Sequence, residues 1–349
     1  MVFLASDNTS GVAPAIMQAM QAANHGDAKS YGGDEWTQAL TTRCRELFAH
    51  PDLLVYPVFN GSAANCLALA GIVRSHEAII AHEHSHIEND ECGMPEFFTG
   101  AKLLTAGGAA GKLEPALAAR VIDLAINGGV HHSRPRAISI TQSTELGTVY
   151  TPQEIAALSV LARSRQLLLH MDGARFANAV AQLGCHPADI SWRAGVDILS
   201  FGGTKNGAMM AEAVIFFSPQ LAGDFGHMRK RAGQLASKQR FIAAQLLALM
   251  EKDLWLENAG HANAMAGRLA AGLAGIGLPP LYPREANALF VRLPKAVAEG
   301  LLAKGHYFYS WPLLGDDVYR LLTSFATQPG DIDEFLADAR LLAKTHPAS

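Results

Sequence analysis

The feature that most constrains the fold is a regular alternation of short apolar runs with longer helical patterns over about the first 220 residues. Runs that are apolar throughout are typical of strands covered on both faces, and the segments between them are long enough for crossover helices. The sequence therefore predicts an α/β fold with a mostly parallel sheet covered by helices. The expected strands are 53–59, 77–82, 102–106, 136–142, 166–172, 196–201 and 212–218.

The pattern changes after about residue 220, where long Ala- and Leu-rich helical segments appear. Two short strand patterns and a terminal helical pattern follow them, which predicts a smaller C-terminal α+β domain. We expect a large domain over residues 1–250, a small domain over 251–349, and a helix over 235–260 joining them. Within the large domain, Thr151 and Glu154 predict a capping box at the start of a helix. The strands expected in the small domain are 288–293 and 318–325.

Charge and composition exclude several classes of protein. Charged residues make up only 17% of the 349 residues, the net charge is −4, and no long block of Lys and Arg could follow a nucleic acid backbone. No apolar run approaches the ~18 residues needed to span a bilayer. The four cysteines are scattered without a CxxC pair, as in reduced intracellular proteins. We therefore expect a cytoplasmic protein that binds neither nucleic acid nor membranes.

Two polar clusters follow predicted strands, at the sheet edge where open α/β proteins bind ligands. The first, "NGSAAN" at 60–65, starts a helix whose first backbone N–H groups suit a phosphate, although an ordinary strand-to-helix turn has the same composition. The second, "LHMDGAR" at 169–175, contains Asp172 and Arg175. These two could form an ion pair or a helix cap. Alternatively, Asp172 could face a protonated ring nitrogen while Arg175 is free to bind a substrate carboxylate.

A third cluster, "SFGGTKNG" at 200–207, places Lys205 among glycines directly after a strand. Such a lysine could simply extend into solvent, or it could lose its proton in a desolvated site and act as an imine-forming nucleophile. The glycines would then leave room for a cofactor ring. A phosphate-binding loop, a carboxylate and a nucleophilic lysine together match the phosphate, ring nitrogen and aldehyde of pyridoxal 5′-phosphate.

The sequence resembles a known family over nearly its whole length. The matching stretches, in order, are "ASDNTSG", "NHGDAKSYGGDEW", "FNGSAANCLAL", "HIENDECGMPEFF", "ITQSTELGTVY", "LHMDGARFANA", "FGGTKNG" and "AGQLASKQRF". In these stretches the chain is similar to the low-specificity L-threonine aldolases and their phenylserine aldolase relatives, which are fold-type I pyridoxal phosphate enzymes. The resemblance implies a large domain with a seven-stranded sheet, a small C-terminal domain, and an N-terminal arm (residues 1–30) that contributes to the site and the subunit interface.

The resemblance also implies roles for residues around the cofactor. Lys205 would bind its aldehyde covalently, Asp172 would pair with the ring nitrogen, and His86 would stack on the ring. Gly61 and Ser62 would bind the phosphate, and Thr204 could add a contact. Arg175 matches a position that contacts both cofactor and substrate. Lys238 matches a phosphate ligand donated by a neighbouring subunit.

Further matches concern the substrate. Ser6, Arg175 and Arg320 match positions that hold its carboxylate, and Tyr31 would reach it from a neighbouring subunit. Glu145 stands where many threonine aldolases have a histidine, so the handling of the β-hydroxyl cannot be copied from those members. The resemblance implies a homotetramer, a dimer of dimers with active sites at the dimer interface.

These matches lead to one expected reaction, the reversible cleavage of L-threonine, L-allo-threonine or L-phenylserine to glycine and an aldehyde. The base that removes the hydroxyl proton could be His86, Glu145 or a bound water. Another fold-type I activity, an aminotransferase or a β-eliminating lyase, is the nearest alternative. A nucleotide- or NAD-linked enzyme would be expected to show a GxGxxG motif, which is absent. Zinc ligands can occupy alternate positions of a strand, as His82, His84 and His86 do. Nothing completes a ligand set here, so no metal is expected.

Overall fold

The structure, a computed structural model, describes residues 1–345, and its largest element is a seven-stranded sheet. The order across the sheet is β1-β7-β6-β5-β4-β2-β3, and β7 alone runs antiparallel to its neighbours. All seven expected strands are present, with every end within two residues of its predicted position. The strands are β1 (Leu54–Val58), β2 (Glu77–His82), β3 (Lys102–Ala106), β4 (Arg134–Thr141), β5 (Leu168–Gly173), β6 (Ile198–Gly202) and β7 (Glu212–Phe216).

Helices pack on both faces of this sheet. The capping box of α7 is confirmed, since the Glu154 amide donates to the Thr151 hydroxyl and the Glu154 carboxylate accepts from the Thr151 amide at 2.7 Å. Within residues 1–345, no helix has both the length and the hydropathy that crossing a lipid bilayer requires. The helices of the first 250 residues are α1 (Pro14–Ala23), α2 (Glu35–Leu47), α3 (Gly61–Ala70), α4 (His86–Asn89), α5 (Met94–Thr99), α6 (Pro115–Asn127), α7 (Pro152–Ser164), α8 (Phe176–Leu183), α9 (Phe225–Arg231) and α10 (Arg240–Met250).

The prediction of a single helix over 235–260 is wrong. Residues 235–239 form no helix, and α10 ends at Met250. The next helix, α11, begins at Leu254 and runs to Ala274. Lys252 and Asp253 separate the two with φ angles of 48° and 57°, a left-handed conformation that a right-handed helix cannot continue. Two helices that meet at a turn therefore lead towards the C-terminal region.

The C-terminal region contains a three-stranded antiparallel sheet of order β8-β10-β9, covered by α12 (Lys295–Ala303) and α13 (Pro329–Thr345). The two expected strands are β8 (Ala288–Arg292) and β10 (Val318–Leu322). The two-residue β9 (Tyr309–Ser310) was not predicted. The division at residue 250 stays a prediction, and residues 346–349 of the expected small domain lie outside the described part of the chain.

The N-terminal segment connects the two sheets. Leu4 donates its amide to the Tyr307 carbonyl at 2.7 Å and accepts from the Leu322 amide at 2.8 Å. Val2 and Leu4 are buried in the same core as the small sheet. Three residues later, Asp7 pairs with Arg175, which follows β5 of the large sheet. The chain between Leu4 and Asp7 therefore lies where both sheets contribute side chains.

Candidate active site

Two adjoining cavities lie at the carboxyl ends of β4, β5 and β6, as expected for an open α/β sheet. One, of about 350 Å³, lies against the start of α3, and we call it the inner cavity. The other, of about 280 Å³, extends to the small sheet, and we call it the outer cavity. Asn8, His86 and Lys205 line both of them. The two cavities therefore form one site with Lys205 at their junction.

Lys205 occupies a short 3-10 turn, Thr204–Asn206, that directly follows β6. Burial and the positive charge of Arg175 lower the pKa of its ammonium group, although Asp7 and Asp172 act in the opposite direction. Within residues 1–345 no hydrogen bond or ion pair holds this amine. A desolvated lysine of this kind deprotonates more readily than one in solvent, which is the property a covalent nucleophile needs.

The glycines before Lys205 have a different purpose from the expected one. A Cβ atom on Gly202 would lie 2.6 Å from the carbonyl oxygen of Ala174, and one on Gly203 would collide with the carbonyl of Ala211. Both glycines therefore make room for neighbouring backbone, and the expectation that they make room for a cofactor ring is wrong. The tight packing fixes the position from which the Lys205 side chain leaves the sheet.

Glu212, the first residue of β7, holds the same turn from the other side. Its carboxylate accepts the Gly203 amide at 3.0 Å and the Thr204 amide at 3.3 Å. Burial raises the pKa of Glu212 to about 7. Sequence reasoning missed this residue, although one signal was present: Glu212 is the one charged residue in the apolar stretch "EAVIFFS".

The inner cavity brings together Asp172 and the start of α3. Asp172 is the penultimate residue of β5, is buried, and accepts from the Ala174 amide at 2.9 Å and from the Asn65 side-chain amide at 2.8 Å. The side chain of Asn60 caps α3, and Gly61 and Ser62 are its first two residues. The first amides of a helix lack partners within it, so this end suits an anion.

His86 separates the two cavities at the start of α4. Its Nδ1 lies 2.8 Å from Glu91 Oε1, and its backbone amide donates to Glu145 Oε1 at 2.8 Å. Burial acts to lower the pKa of His86, but the hydrogen bond to Glu91 and the negative charges of Asp172 and Glu91 together outweigh it, so the pKa lies above its usual value. With Nδ1 directed at Glu91, the other ring nitrogen and the ring faces remain for contacts in the cavities.

Glu145 lies behind His86 in the wall of the outer cavity. Its Oε2 is buried without a hydrogen-bond partner in the described chain. Burial, with the charge of Asp172 acting in the same direction, raises the pKa of Glu145 to about 7. A carboxyl group with such a pKa exchanges a proton at neutral pH, and an unpaired buried oxygen is costly unless a ligand or a proton satisfies it.

The two arginines at the outer cavity, Arg175 and Arg320, differ in how far their guanidinium groups are already bound by other residues. Arg175 is not free as expected, because its Nε and Nη2 bind Asp7 in a two-point ion pair at 2.7 and 3.0 Å. Burial acts to raise the pKa of Asp7, but Arg175 and Lys205 outweigh it, so the pKa lies below its usual value. A substrate carboxylate must therefore displace Asp7 or bind another edge of Arg175.

The guanidinium of Arg320 donates fewer hydrogen bonds than that of Arg175. Its Nη2 donates to the Ala5 carbonyl at 3.0 Å, and its buried Nε has no partner in the described chain. The guanidinium lies 4.5 Å from the ring centre of Trp311 and 5.9 Å from that of Tyr309, so it is held by two cation–π contacts. Ser6 lines the same cavity. Tyr309 and Trp311 were missed because neither belongs to a stretch on which the resemblance depends.

Two other groups of sequence-predicted residues lie outside the cavity walls. Tyr31 and Lys238 are on adjacent exposed segments, joined by the bond from the Tyr31 amide to the Ser237 carbonyl at 3.0 Å. His82 and His84 stand near each other, but His82 binds the Gly108 carbonyl and the His84 amide. Residues 1–345 contain no group of three or more His, Cys, Asp and Glu side chains placed to hold a metal ion.

The residues present fit pyridoxal 5′-phosphate. The inner cavity offers helix amides for a phosphate, the buried Asp172 for a protonated ring nitrogen, and Lys205 for an aldehyde. These three groups belong to different elements that end at the same edge of the sheet. Arg320 and Glu145 both line the outer cavity, and each has one buried side-chain atom, Nε and Oε2 respectively, without a hydrogen-bond partner in the described chain.

Comparisons with known proteins agree with this chemistry. The family model described as beta-eliminating lyase matches residues 4–296. The chain is 45% identical over 339 residues to a low-specificity L-threonine aldolase of a Pseudomonas species, covering 96% of each chain. It is 46% identical over 341 residues to the enzyme of the same name from Pseudomonas aeruginosa, covering 97% of each.

Among solved structures, a threonine aldolase of Leishmania major superimposes with a TM-score of 0.92 at 31% identity, covering 98% of this chain and 99% of the other. The match extends over both sheets, so the fold-type I architecture expected from the sequence is confirmed. The chain therefore belongs to the beta-eliminating lyase family, in which its relatives are the low-specificity L-threonine aldolases.

Proposed function

We propose that this protein cleaves L-β-hydroxy-α-amino acids between Cα and Cβ to give glycine and an aldehyde, with pyridoxal 5′-phosphate as its cofactor. The observation that carries this proposal is the pair of joined cavities. Lys205 lies at their junction, with Asp172 and the start of α3 on one side and Arg175 and Arg320 on the other. The names of the Pseudomonas and Leishmania relatives support the same reaction.

Each residue contributes a separate part of the reaction. Bound pyridoxal phosphate supplies an aldehyde for the substrate amine and a ring that accepts the electron pair of the broken Cα–Cβ bond. Lys205 would bind the cofactor covalently, and Asp172 would keep a proton on the ring nitrogen. Gly61, Ser62 and Thr204 would bind the phosphate. His86, at the boundary of the two cavities, would cover the ring.

Orientation of the substrate depends on the outer cavity. Arg320, with Ser6 and Arg175, would hold the carboxylate and so fix the orientation of the Cα–Cβ bond. Positioning of this kind contributes several kcal/mol to rate enhancements in general. Because Arg175 is already bound by Asp7, we assign the main contact with the carboxylate to Arg320. Arg175 then supplies positive charge and fixes the N-terminal segment.

Glu145 is the best-placed group to take the proton from the β-hydroxyl. Glu145 lines the outer cavity, its buried Oε2 has no hydrogen-bond partner in the described chain, and its pKa of about 7 allows proton transfer at neutral pH. When Cα–Cβ cleavage converts the hydroxyl to a carbonyl, that proton passes to Glu145. A proton must then be delivered to Cα to give glycine. His86 and a bound water remain candidates for either transfer.

The outer cavity fits substrates of different sizes. Ala288, Trp311 and Leu322 form its apolar wall, which could contact a methyl or a phenyl group at Cβ. We therefore propose L-threonine, L-allo-threonine and L-phenylserine as substrates. We further propose a cytoplasmic homotetramer, a dimer of dimers, in which Tyr31 and Lys238 reach the site of a neighbouring subunit.

The test is to incubate the purified protein with each of the three amino acids and to measure glycine and aldehyde. The holoenzyme should be yellow, and borohydride should change its colour by reducing the bond to Lys205. Lys205→Ala should abolish turnover while the circular dichroism spectrum is unchanged. Normal turnover by Lys205→Ala, or no uptake of pyridoxal phosphate by the wild type, would contradict the proposal.

Product analysis also separates the alternative fold-type I activities. An aminotransferase would convert the amino acid to a keto acid with transfer of the amine, and a β-eliminating lyase would release ammonia and a keto acid. A retro-aldol reaction gives glycine and an aldehyde in equal amounts with neither of those products. Formation of a keto acid as the main product would assign the chain to one of the other activities.

A further inference from the structure

A buried chain of hydrogen bonds joins two residues of the site that lie on different elements. Asn65 of α3 donates its side-chain amide to Asp172 Oδ2 at 2.8 Å and to Glu91 Oε1 at 3.1 Å. The same Glu91 oxygen lies 2.8 Å from His86 Nδ1. The path therefore runs from Asp172 through Asn65 and Glu91 to His86 without a gap.

We propose that Asn65 and Glu91 are positioning residues that hold the His86 ring and the Asp172 carboxylate in a fixed relation. This inference rests on the roles proposed above for His86 and Asp172. Asn65 and Glu91 line the inner cavity and not the outer one, and both act through the residues they bind, His86 and Asp172. They are therefore distinct from the groups that handle the substrate.

The residues around Glu91 hold its carboxylate in a fixed position. Its side chain is fully buried, and its Oε2 accepts from the thiol of Cys66 at 3.2 Å. Burial, and then the charge of Glu91, raise the pKa of Cys66, so the thiol keeps its proton and remains a donor. All three neighbours of the carboxylate thus offer hydrogens, and a buried carboxylate is stable only with such partners.

The orientation of Asn65 follows from its neighbours. Its side-chain nitrogen faces two carboxylates, which accept hydrogen bonds and cannot donate them while ionised. The amide group therefore separates two negative charges that would otherwise repel each other in a buried space. If one bond is lost, the amide is free to rotate towards the other carboxylate, so we expect the two ends of the chain to be coupled.

Electrostatics make the coupling measurable. The charged groups facing His86 are Glu91 in the loop after α4, Glu145 in the loop after β4, Asp172 on β5 and Lys205 after β6; Asp90 and Arg175 line the same cavity. Glu91→Gln keeps the size of the side chain and removes one negative charge from this group. Protons held near that position should then dissociate at lower pH.

The experiment measures two properties of Glu91→Gln, Asn65→Ser and the double variant. One is the dissociation constant of pyridoxal phosphate from titration of the cofactor-free protein. The other is the pH midpoint at which the visible absorption of the bound cofactor changes. We expect each single variant to weaken cofactor binding about tenfold, through loss of a charge-assisted bond. Glu91→Gln should also lower the pH midpoint by about one unit.

The double variant should weaken binding by less than the product of the two single effects, because the residues act in one chain. Glu88→Gln is the matched control, since Glu88 is an exposed residue of α4, the short helix that begins at His86. It should leave both the affinity and the midpoint at the wild-type values. A purely structural role would lower the unfolding temperature of Glu91→Gln without moving the midpoint.

The inference is overturned if Glu91→Gln retains the wild-type midpoint and affinity, or if the double variant shows fully additive effects. If Glu91→Gln yields no folded protein, Asn65→Ser carries the test, because it leaves the contact between Glu91 and His86 in place. His86→Asn and Asp172→Asn are measured in parallel. Wild-type affinity in both would refute the proposed roles of those residues, a result distinct from failure of the positioning chain alone.

Discussion

Lys205 and Glu145 both depart from their ordinary protonation towards the neutral form. Burial lowers the pKa of the Lys205 amine and raises that of the Glu145 carboxyl to about 7. A neutral amine is the nucleophile that an aldehyde requires, and a carboxyl near its pKa can accept or donate a proton with little cost. The same physical cause, removal of charge from water, therefore prepares two different chemical groups in one site.

The raised pKa of Glu145 has a consequence for stability. A carboxyl group whose pKa rises on folding binds more protons in the folded state than in the unfolded state, here between pH 4.5 and about 7. The contribution of Glu145 to the free energy of unfolding is fully present below pH 4.5 and is lost as pH rises through 7. Glu145→Gln has no such titrating group, so the variant does not lose stability in this way. We expect the free energy of unfolding of the variant, relative to wild type, to rise by about 3 kcal/mol over that pH range.

Urea denaturation of both proteins at fixed concentration, repeated at several pH values, measures this difference. Asp123→Asn provides a control, because Asp123 is only partly buried and its pKa is lowered by the hydrogen bond to Arg165 rather than raised. The control should show no gain between pH 4.5 and 7. A difference between Glu145→Gln and wild type that is constant across the range would show that Glu145 titrates as it does in water.

Trp311 affects the substrate through Arg320. Its ring centre lies 4.5 Å from the guanidinium, which otherwise makes one hydrogen bond, to Ala5. Trp311→Leu should let Arg320 move, and we expect KM for L-threonine to rise about tenfold with kcat changed much less, as for loss of a desolvated cation–π contact. Leu313→Ala, at an exposed position in the adjacent 3-10 turn, should leave KM unchanged. A fall in kcat with constant KM would contradict this role.

At the scale of elements, the turn after β6 depends on close backbone contact. Gly202→Ala would bring a methyl group within 2.6 to 2.8 Å of the Ala174 backbone, which cannot rotate away. We expect a loss of about 1–3 kcal/mol in the free energy of unfolding. Gly260→Ala in α11 is the matched control, since its methyl group would meet nothing within 4 Å. This control should be more stable than wild type by about 0.5–1 kcal/mol.

Thermal or urea unfolding of the two glycine variants gives opposite signs if the argument is correct. Gly202→Ala should also lower cofactor affinity, because displacement of β6 moves Lys205. If both variants show the same small gain in stability, the space beside Gly202 is larger than the contact distances indicate. The predicted importance of the glycine for the position of Lys205 would then be wrong.

Elements with local signals were predictable from the sequence, whereas those fixed by tertiary contacts were not. The start of α7 was predicted because a capping box lies within four consecutive residues. The break between α10 and α11 was not predicted, because the left-handed residues there are Lys252 and Asp253 and no glycine or proline marks the turn. In the site, Asp172 lies near the end of an apolar strand and Lys205 shortly after another, so both could be recognised. Asp7, Asn65 and Glu91 act through distant partners that no local pattern identifies.

At the scale of the whole molecule, the N-terminal segment links parts that are far apart in sequence. Leu4 is bonded between Tyr307 and Leu322, Ala5 accepts from Arg320, and Asp7 pairs with Arg175. The small sheet, the N-terminal segment and the large sheet thus meet at the wall of the outer cavity. Any movement of the small sheet would shift the carboxylate-binding side of the site relative to Lys205, so substrate binding and the packing of the two sheets should be coupled.

The proposed dimer predicts that one active site contains residues of two subunits. Lys205→Ala removes the nucleophile, and Lys238→Ala removes the expected phosphate contact donated to the neighbouring site. In a dimer of one subunit of each kind, both changes fall in the same site and the other site is intact. Random co-assembly of equal amounts should therefore restore about a quarter of the wild-type activity, as the two-fold symmetry of such an interface requires.

The measurement uses the two variants co-expressed with different affinity tags, assayed at a cofactor concentration at which Lys238→Ala alone is inactive. Purification through both tags in succession removes the homo-oligomers and should raise the activity of the remaining material towards half of wild type. Lys230→Ala serves as the control partner: its ammonium group lies 4.5 Å from the ring centre of Tyr31 in the same chain, and it has no assigned contact with the phosphate. If the mixture of Lys205→Ala and Lys238→Ala gives only the sum of its parents, Lys238 does not act across the interface, and the exposed surface formed by Tyr31 and Lys238 has another purpose.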